Sequence, residues 1–341
     1  MKPVEWRDGG LRILDQTKLP REEIYIETSD FREAAEAISE LRVRGAPAIG
    51  VAAAYGMVLA AQSIQADTTR DFLSELQGIA SFFLRTRPTA VNLSRALSRM
   101  EEVAKKNGNT STICESLLTE AHTIQEEEEK ATELISGFGA SLISDGFTIL
   151  THCNTGPLAT MGRGTALGAI LSAVREGKKI SVFATETRPL LQGARLTTLE
   201  LRQENVDVAL ICDFAAGHIM HQGRIDMVIV GADRIALNGD VANKIGTYSL
   251  AVLAHENHIP FYVAAPISTL DPKVSSGGKI VIEERNSTEV TNVGGVEIAP
   301  PGVKVKNPAF DVTPHEYVSA IITDKGIIYA PYELNLRGKY G

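Results

Sequence analysis

The run FTILTHC at residues 147–153, followed by GTALGAILSAVREG at 164–177, decides the fold class, because it joins a short apolar β-rich segment to one of helical period. The pairing recurs down the chain: ISVFATET (180–187) with TTLELRQEN (197–205), VDVALICD (206–213) with AAGHIMHQG (215–223), and IDMVIVGAD (225–233) with KIGTYSLAVLAHENH (244–258), before PFYVAAP (260–266). A strand with one wet face alternates apolar and polar residues. These runs are continuously apolar, as a parallel sheet covered by helices on both faces requires. The reading is an α/β protein in which residues 145–341 form a Rossmann-like open parallel domain.

Upstream of Ser144-Asp145-Gly146 the texture changes. FREAAEAISELRV (31–43), AIGVAAAYGMVLAAQSI (48–64), DFLSELQGIASFFLRT (71–86), TAVNLSRALSRMEEVAKK (89–106) and ICESLLTEAHTIQEEEEKATELISGFGASLI (113–143) carry apolar residues at helical spacing. Residues 1–144 are therefore expected to form a mainly helical N-terminal domain. Around Asp8-Gly9-Gly10, residues 3–15 alternate apolar and polar, which predicts a β hairpin of Val4–Trp6 with Leu11–Leu14, a small flap. EEEEK at 126–130 lies between apolar stretches and reads as a solvated helix face. The helix AIGVAAAYGMVLAAQ suits a core and an interface equally.

Composition narrows the function. The 341 residues are 44% hydrophobic and 22% charged, as in a soluble enzyme with room for two cores. A net charge of −8 argues against a dedicated polyanion binder, so nucleic acid is not expected as a partner, although a local arginine cluster suits a single phosphate. Cys114, Cys153 and Cys212 lie too far apart for a metal knuckle and are too few for a disulfide scaffold, which fits a reducing compartment. MKPVEWRDGG has no apolar signal core, and runs such as ILTHC and MVIVG are too short to cross a bilayer. A cytoplasmic protein without a membrane partner is expected.

In open α/β sheets, ligands bind beyond the carboxyl ends of the strands. The exits here are His152-Cys153-Asn154, Glu186-Thr187-Arg188, Cys212-Asp213, Asp233-Arg234 and Pro266. Any one of them alone suits a turn, and their grouping is what points to a site. Cys153 precedes NTGPLATMGRGTALG, whose glycines lead into a helix; backbone N–H groups there would hold an anion and lower a thiol pKa. A buried small hydrophobe is the equal alternative, and is the reading for Cys114 and Cys212. Asp233, if partly desolvated, would have a raised pKa and shuttle a proton; otherwise it is a cap or turn residue. Asn243 and Lys244 precede a helix, where a lysine opposes the helix dipole unless an anion is near; a solvated lysine is the alternative. Glu186-Thr187-Arg188-Pro189 reads as a strand-end network in which the arginine pairs with carboxylates or orients a loop.

In the helical half, RGAPAIG (44–50) joins two helices, with Gly45 permitting close backbone approach and Pro47 suited to a first helical turn. Arg44 stands beside it. RTRPTAVNL (85–93) repeats the theme with Arg87 before Pro88. Each arginine alone reads as a surface charge; two at Pro-initiated helix starts suit a shared phosphate site. The pairs His218/His221 and His255/His258 have helical spacing but no acid in a metal pattern, so no metal is expected. GRGTALG spaces its glycines GxGxxxG rather than GxGxxG, and neither GxSxG nor a P-loop occurs, which weighs against a nicotinamide-dependent oxidoreductase, a hydrolase and an ATPase.

Taken in order, RGAPAIG, RPTAVNL, THCNTGPLAT, ETRPLLQGARLT, GADRIALNGDVANKIGTYSLAV and NPAFDVTPHEYVSAIITDKGI resemble the methylthioribose-1-phosphate isomerases of methionine salvage, from the opening VEW and LDQTKLP to the C-terminus. The wider family also holds ribose-1,5-bisphosphate isomerases and the regulatory subunits of the translation-initiation guanine-nucleotide exchange factor, so fold alone does not assign the activity. The resemblance implies a homodimer that converts 5-methylthioribose 1-phosphate to 5-methylthioribulose 1-phosphate with no cofactor or metal. It further implies Cys153 and Asp233 as the catalytic pair, and Arg44, Gly45, Ala46, Arg87, Gln192, Asn243 and Lys244 as substrate-binding residues. Pro157 departs from the Ser or Ala expected in the Cys153 loop. The alternatives are an isomerase of 5-deoxyribose 1-phosphate or ribose 1,5-bisphosphate, and a non-catalytic regulatory module, which would need neither Cys153 nor Asp233.

Overall fold

Strand pairing begins where the alternation predicts it: β1 (Val4–Arg7) runs antiparallel to β2 (Gly10–Leu14), with Trp6 opposite Leu11. A third strand that the sequence reading leaves out, β3 (Tyr25–Thr28), pairs with the other edge of β2. Five helices follow: α1 (Phe31–Ser39), α2 (Ala46–Ser63), α3 (Thr69–Thr86), α4 (Val91–Lys106) and α5 (Thr110–Ala140). Side-chain caps set two of their starts, since Asp30 accepts the Arg32 N–H and Thr68 accepts the Asp71 N–H. The computed structural model describes residues 1–87, 90–106 and 108–340. Pro88, expected at the start of α4, lies outside them.

By their internal packing the residues form two units, Met1–Glu133 with Pro157–Gly164, and Leu134–Gly156 with Thr165–Gly341. The end of α5 thus counts with the second unit and a segment beyond Cys153 counts with the first, neither of which periodicity reveals.

The first unit is built around α2. Contrary to the expectation that no apolar run approaches membrane length, α2 has 18 residues at a mean hydropathy of 1.3. Its residues Ala46–Ala61 are all buried, packed among α1, α3 and α4, so it is the central helix of this core rather than an interface. Trp6 of the flap stacks on Tyr55 with ring centroids 5.4 Å apart. Close approach of α3 depends on Gly56, where an added Cβ would stand 2.4 Å from Cζ of the fully buried Phe83.

The second unit carries a seven-stranded sheet built from β4 (Thr148–Thr151), β5 (Ser181–Thr185), β6 (Asp207–Ile211), β7 (Met227–Val230), β10 (Phe261–Ala264), β15 (Ala320–Thr323) and β16 (Gly326–Ile328). Its order is β16-β15-β10-β7-β4-β5-β6, parallel except for β16. Four helices, α6 (Ala166–Arg175), α7 (Thr198–Gln203), α8 (Ala215–His221) and α9 (Thr247–Glu256), belong to the crossovers. From β4 the chain builds outward through β5 and β6, then returns to the opposite side of β4 with β7. The order therefore reverses between β4 and β7, the switch point of a doubly wound sheet.

A second sheet, ordered β11-β8-β9-β14, comprises β8 (Arg234–Ala236), β9 (Val241–Lys244), β11 (Leu270–Asp271) and β14 (Phe310–Thr313). Between β11 and β14 lie the short helix α10 (Thr288–Thr291) and the ribbon β12 (Asn292–Val293) with β13 (Val296–Glu297); α11 (Tyr332–Tyr340) ends the chain. Asn243 and Lys244 precede α9 as expected, but they are strand residues at the end of β9: Asn238-Gly239 turns the chain between β8 and β9, and Ile245-Gly246 separates β9 from α9. Asn243 pairs in register with Asp311. The Asp311 carboxylate accepts the Gly246 N–H at 2.7 Å and the Tyr248 N–H at 3.1 Å, which caps α9. Burial pushes the Asp311 carboxyl up to about 6, against the lowering effect of these two N–H groups and Lys244.

Two tests follow from this packing. Replacing Gly56 by Ala gains helix propensity of about 0.5–1 kcal/mol, but overpacking against Phe83 costs about 1–3 kcal/mol. Urea denaturation should therefore show a net loss of about 1–2 kcal/mol, abolished in a Phe83→Leu background. Because folded Asp311 holds its proton more tightly than the unfolded chain, its contribution to stability is full below pH 3.8 and is lost as the pH rises through about 6. Thermal unfolding should show the stability difference between wild type and Asp311→Asn falling by on the order of 1–2 kcal/mol from pH 4 to 7, where a constant difference would refute the assignment.

Candidate active site

Cys153 and Asp233 follow β4 and β7, the two strands that flank the switch point. Cys153 is 8% exposed and takes a positive φ of 61°. Two threonines hold its backbone there: its N–H donates to Thr187 Oγ1 at 2.9 Å, and its carbonyl accepts from Thr197 Oγ1 at 2.6 Å. Thr187 itself has φ 63°, a region that a β-branched residue rarely adopts. Such a conformation costs on the order of 1–3 kcal/mol. Both Asp213 carboxylate oxygens repay it, accepting the N–H groups of Thr187 and Arg188 at 2.7 Å each, bonds that contribute about 1.5–3 kcal/mol apiece. Asn154 donates to Thr197 Oγ1 and to the buried Glu200 carboxylate.

Beyond β5 the loop continues to Leu191, at φ 59°, and then to Gln192. Gln192 is 5% exposed, and its Oε1 is buried without a hydrogen-bond partner among the described residues. An unsatisfied buried acceptor costs about 1–3 kcal/mol, which a donor on a bound molecule would recover. This acceptor lies in the loop that leaves β5, one of the strands beside the switch point.

Asp233 is half-buried, with its N–H on the Ala242 carbonyl at 2.9 Å, which ties the β7 exit to β9. On β9, Asn243 is buried and donates to Thr247 Oγ1 at 3.0 Å. Lys244 is half-buried; its Nζ donates to the Ala309 carbonyl at 3.1 Å and lies 4.7 Å from the Phe310 ring centroid. The lysine therefore sits on a strand against an aromatic ring, not against a helix dipole. Next to Cys153, His152 is 2% exposed, and desolvation lowers its pKa, so the ring is neutral.

In the first unit, Arg44 and Arg87 are buried, contrary to the reading of each alone as a surface charge. Arg44 Nε donates to Gln16 Oε1 at 3.1 Å, and Gln16 Nε2 donates to the Leu158 carbonyl at 2.8 Å. Gly45, at φ 92°, precedes α2; its added Cβ would lie 2.2 Å from the Ala159 carbonyl oxygen, so the close approach expected of it is present. Ala46 opens the helix, Pro47 lies in its first turn, and Arg87 ends α3.

Some expectations change. Cys212 is exposed rather than a buried hydrophobe, and Cys114 is half-buried. The Arg188 guanidinium donates to the carbonyls of Pro189 and Val290, so it orients a loop, and it is its backbone N–H that meets a carboxylate. His258, at φ 57°, lies past the end of α9 and shares no helix with His255. The residues missed are those that hold others: Thr197, Glu200 and Asp311 act through contacts remote in sequence. Thr187, Asp213 and His152 were marked by their strand-exit positions but not by a role.

Residues 42–330 match the model of the initiation factor 2 subunit family. A methylthioribose-1-phosphate isomerase of Acetivibrio thermocellus is 54% identical over 339 residues, 99% of each chain, and one of Dehalococcoides mccartyi is 57% identical over 328 residues, 96% of this chain and 98% of its own. Among solved structures, the 5-methylthioribose 1-phosphate isomerase of Pyrococcus horikoshii OT3 superposes with a TM-score of 0.90 at 43% identity, over 99% of this chain and 95% of its own. A translation initiation factor eIF-2B subunit delta from A. fulgidus superposes at 0.86 with 46% identity, over 100% of this chain and 99% of its own. With relatives of this identity along nearly its whole length, the chain belongs to the initiation factor 2 subunit family.

Proposed function

We propose that this chain is an aldose–ketose isomerase, an intramolecular oxidoreductase, that converts 5-methylthioribose 1-phosphate to 5-methylthioribulose 1-phosphate in methionine salvage. The observation that carries the reading is the placement of a thiol and a carboxyl, Cys153 and Asp233, at the carboxyl ends of the two strands flanking the switch point. Relatives more than half identical bear the name of that isomerase.

The phosphate on the anomeric oxygen locks the ring, so opening needs an acid at the ring oxygen. Asp233 protonates that oxygen as its bond to C1 breaks. Hydrogen then moves from C2 to C1, either as a proton through Cys153 or as a hydride in a water-poor setting, while the C2 hydroxyl loses its proton to become the ketone. The phosphate stays on O1 and no external oxidant is needed. Gln192 and Asn243 bind sugar hydroxyls, and Gln192 Oε1, an acceptor, suits a hydroxyl donor. Within the second unit Lys244 suits the anionic end of the substrate; within the first, Arg44 and Arg87 suit an anion, with Gly45 and Ala46 offering backbone beside Arg44. The reading includes no cofactor or metal, and a cytoplasmic location, supported by cysteines too few and too far apart for a disulfide scaffold.

It also includes a homodimer. β6 is one edge of the seven-stranded sheet, with Leu210 51% exposed and Phe214, just beyond, fully exposed. An apolar edge strand of this kind suits pairing with its own copy about a two-fold axis.

A regulatory subunit is the second reading, favoured by the 46% identity to the eIF-2B subunit delta structure. NMR of the EDTA-treated protein with 5-methylthioribose 1-phosphate decides between them. The expected result is conversion to the ketose, reduced by about 10²-fold or more in both Cys153→Ser and Asp233→Asn. Turnover of ribose 1,5-bisphosphate or 5-deoxyribose 1-phosphate alone would change the substrate, and inertness to all three would favour the regulatory subunit. Solvent deuterium at C1 of the product would count against the hydride route. Light scattering should give twice the chain mass for wild type and a monomer for Leu210→Asp/Phe214→Asp; an unchanged dimer would move the interface elsewhere.

A further inference from the structure

His152 is bonded at both ring nitrogens, and the geometry fixes which one carries the hydrogen. Nε2 lies 2.9 Å from the Ile245 carbonyl oxygen, which can only accept, so Nε2 donates. In a neutral ring Nδ1 is then an acceptor, and Thr185 Oγ1, 2.6 Å away, donates to it. The chain of bonds continues in one direction. Thr185 Oγ1 lies 3.3 Å from Thr187 Oγ1, which in turn accepts the Cys153 N–H at 2.9 Å. On its other side the ring reaches the turn that carries Lys244: Ile245 N–H donates to the Ala309 carbonyl, the same oxygen that Lys244 Nζ reaches, and Gly246 N–H is held by Asp311. Gly246 packs against the ring so closely that a Cβ there would lie 3.1 Å from His152 Cε1.

A histidine buried to this degree and satisfied on both sides is often only a core residue. An apolar side chain would fill the same space without desolvating two nitrogens. Here, however, the two nitrogens end on different segments, one carrying Cys153 and the other Asn243 and Lys244. We propose that His152 is a positioning residue that registers the Cys153 loop against the Lys244–Gly246 turn, with the Thr185 side setting the thiol and the Ile245 side setting the sugar-phosphate contacts. This rests on the isomerase reading and names residues it does not include.

The proposal predicts that the two sides separate kinetically. His152→Asn is too short to span to Ile245 but retains a polar group near Thr185, and should raise KM for 5-methylthioribose 1-phosphate about 10-fold with kcat within about 3-fold. Thr185→Val keeps its shape and cuts the other side, and should lower kcat about 10-fold with KM within about 3-fold. His152→Gln, whose amide reaches Ile245, should restore KM. Long-range 1H–15N correlation should show His152 as the Nε2–H tautomer in wild type.

Two further readouts need no turnover: calorimetric affinity for the sugar phosphate, which should weaken in His152→Asn, and the rate of Cys153 alkylation followed by peptide mass, which should change in Thr185→Val. Equal changes of KM and kcat in both variants, or a lowered Tm with both constants intact, would overturn the proposal and leave His152 a structural residue. If wild type neither turns over nor binds the sugar, the isomerase reading fails, and an alkylation rate unchanged in Thr185→Val would then refute the positioning role on its own.

Discussion

The second unit depends on β4 being paired in parallel on both edges, with β5 on one side and β7 on the other. A strand in that place sends its successors away in opposite directions, and the helices that follow must cover opposite faces of the sheet. The carboxyl ends of β4 and β7 are then neighbours. A thiol and a carboxyl written 80 residues apart, at 153 and 233, thereby come to follow neighbouring strands.

The backbone at these strand ends is held by hydrogen bonds. Cys153, Thr187 and Leu191 all take positive φ, and each lies in a loop leaving β4 or β5. Asp213, from the exit of β6, satisfies the N–H groups of the strained Thr187 peptide and its successor, so three adjacent strand ends cooperate in one backbone arrangement. Strain that survives in a buried loop needs surroundings that determine it from several directions, and here they come from separate crossovers.

Much of this was legible in the chain. Five continuously apolar runs predict β4, β5, β6, β7 and β10, and the rule that ligands sit beyond parallel strand ends marks His152, Cys153, Thr187, Asp213 and Asp233 before any coordinates. The second sheet was equally signalled and went unread: Asn238-Gly239 between RIA and VANK is a strong local hairpin cue, obscured by assigning Lys244 to the following helix. Asp311, Thr197 and Glu200 had no such sign. Which carboxylate caps α9, or which hydroxyl holds the Cys153 carbonyl, is decided by partners 44 to 65 residues away that no local pattern names. The character of α2 was visible as uniform apolarity, but whether that face meets a core or a partner is a property of what surrounds it.

The segment Pro157–Gly164 belongs with the first unit although it lies between strands of the second. Leu158 supplies the carbonyl for Gln16, and Ala159 forms the wall against Gly45. During synthesis from the N-terminus, the helical unit therefore emerges from the ribosome incomplete. Its last piece arrives only after β4 has been made, so the order of translation is not the order in which the two cores can close. A gene fusion or excision that cuts at the change of texture near residue 145 would strand part of one core on the other fragment, and the two units are in this sense inherited together.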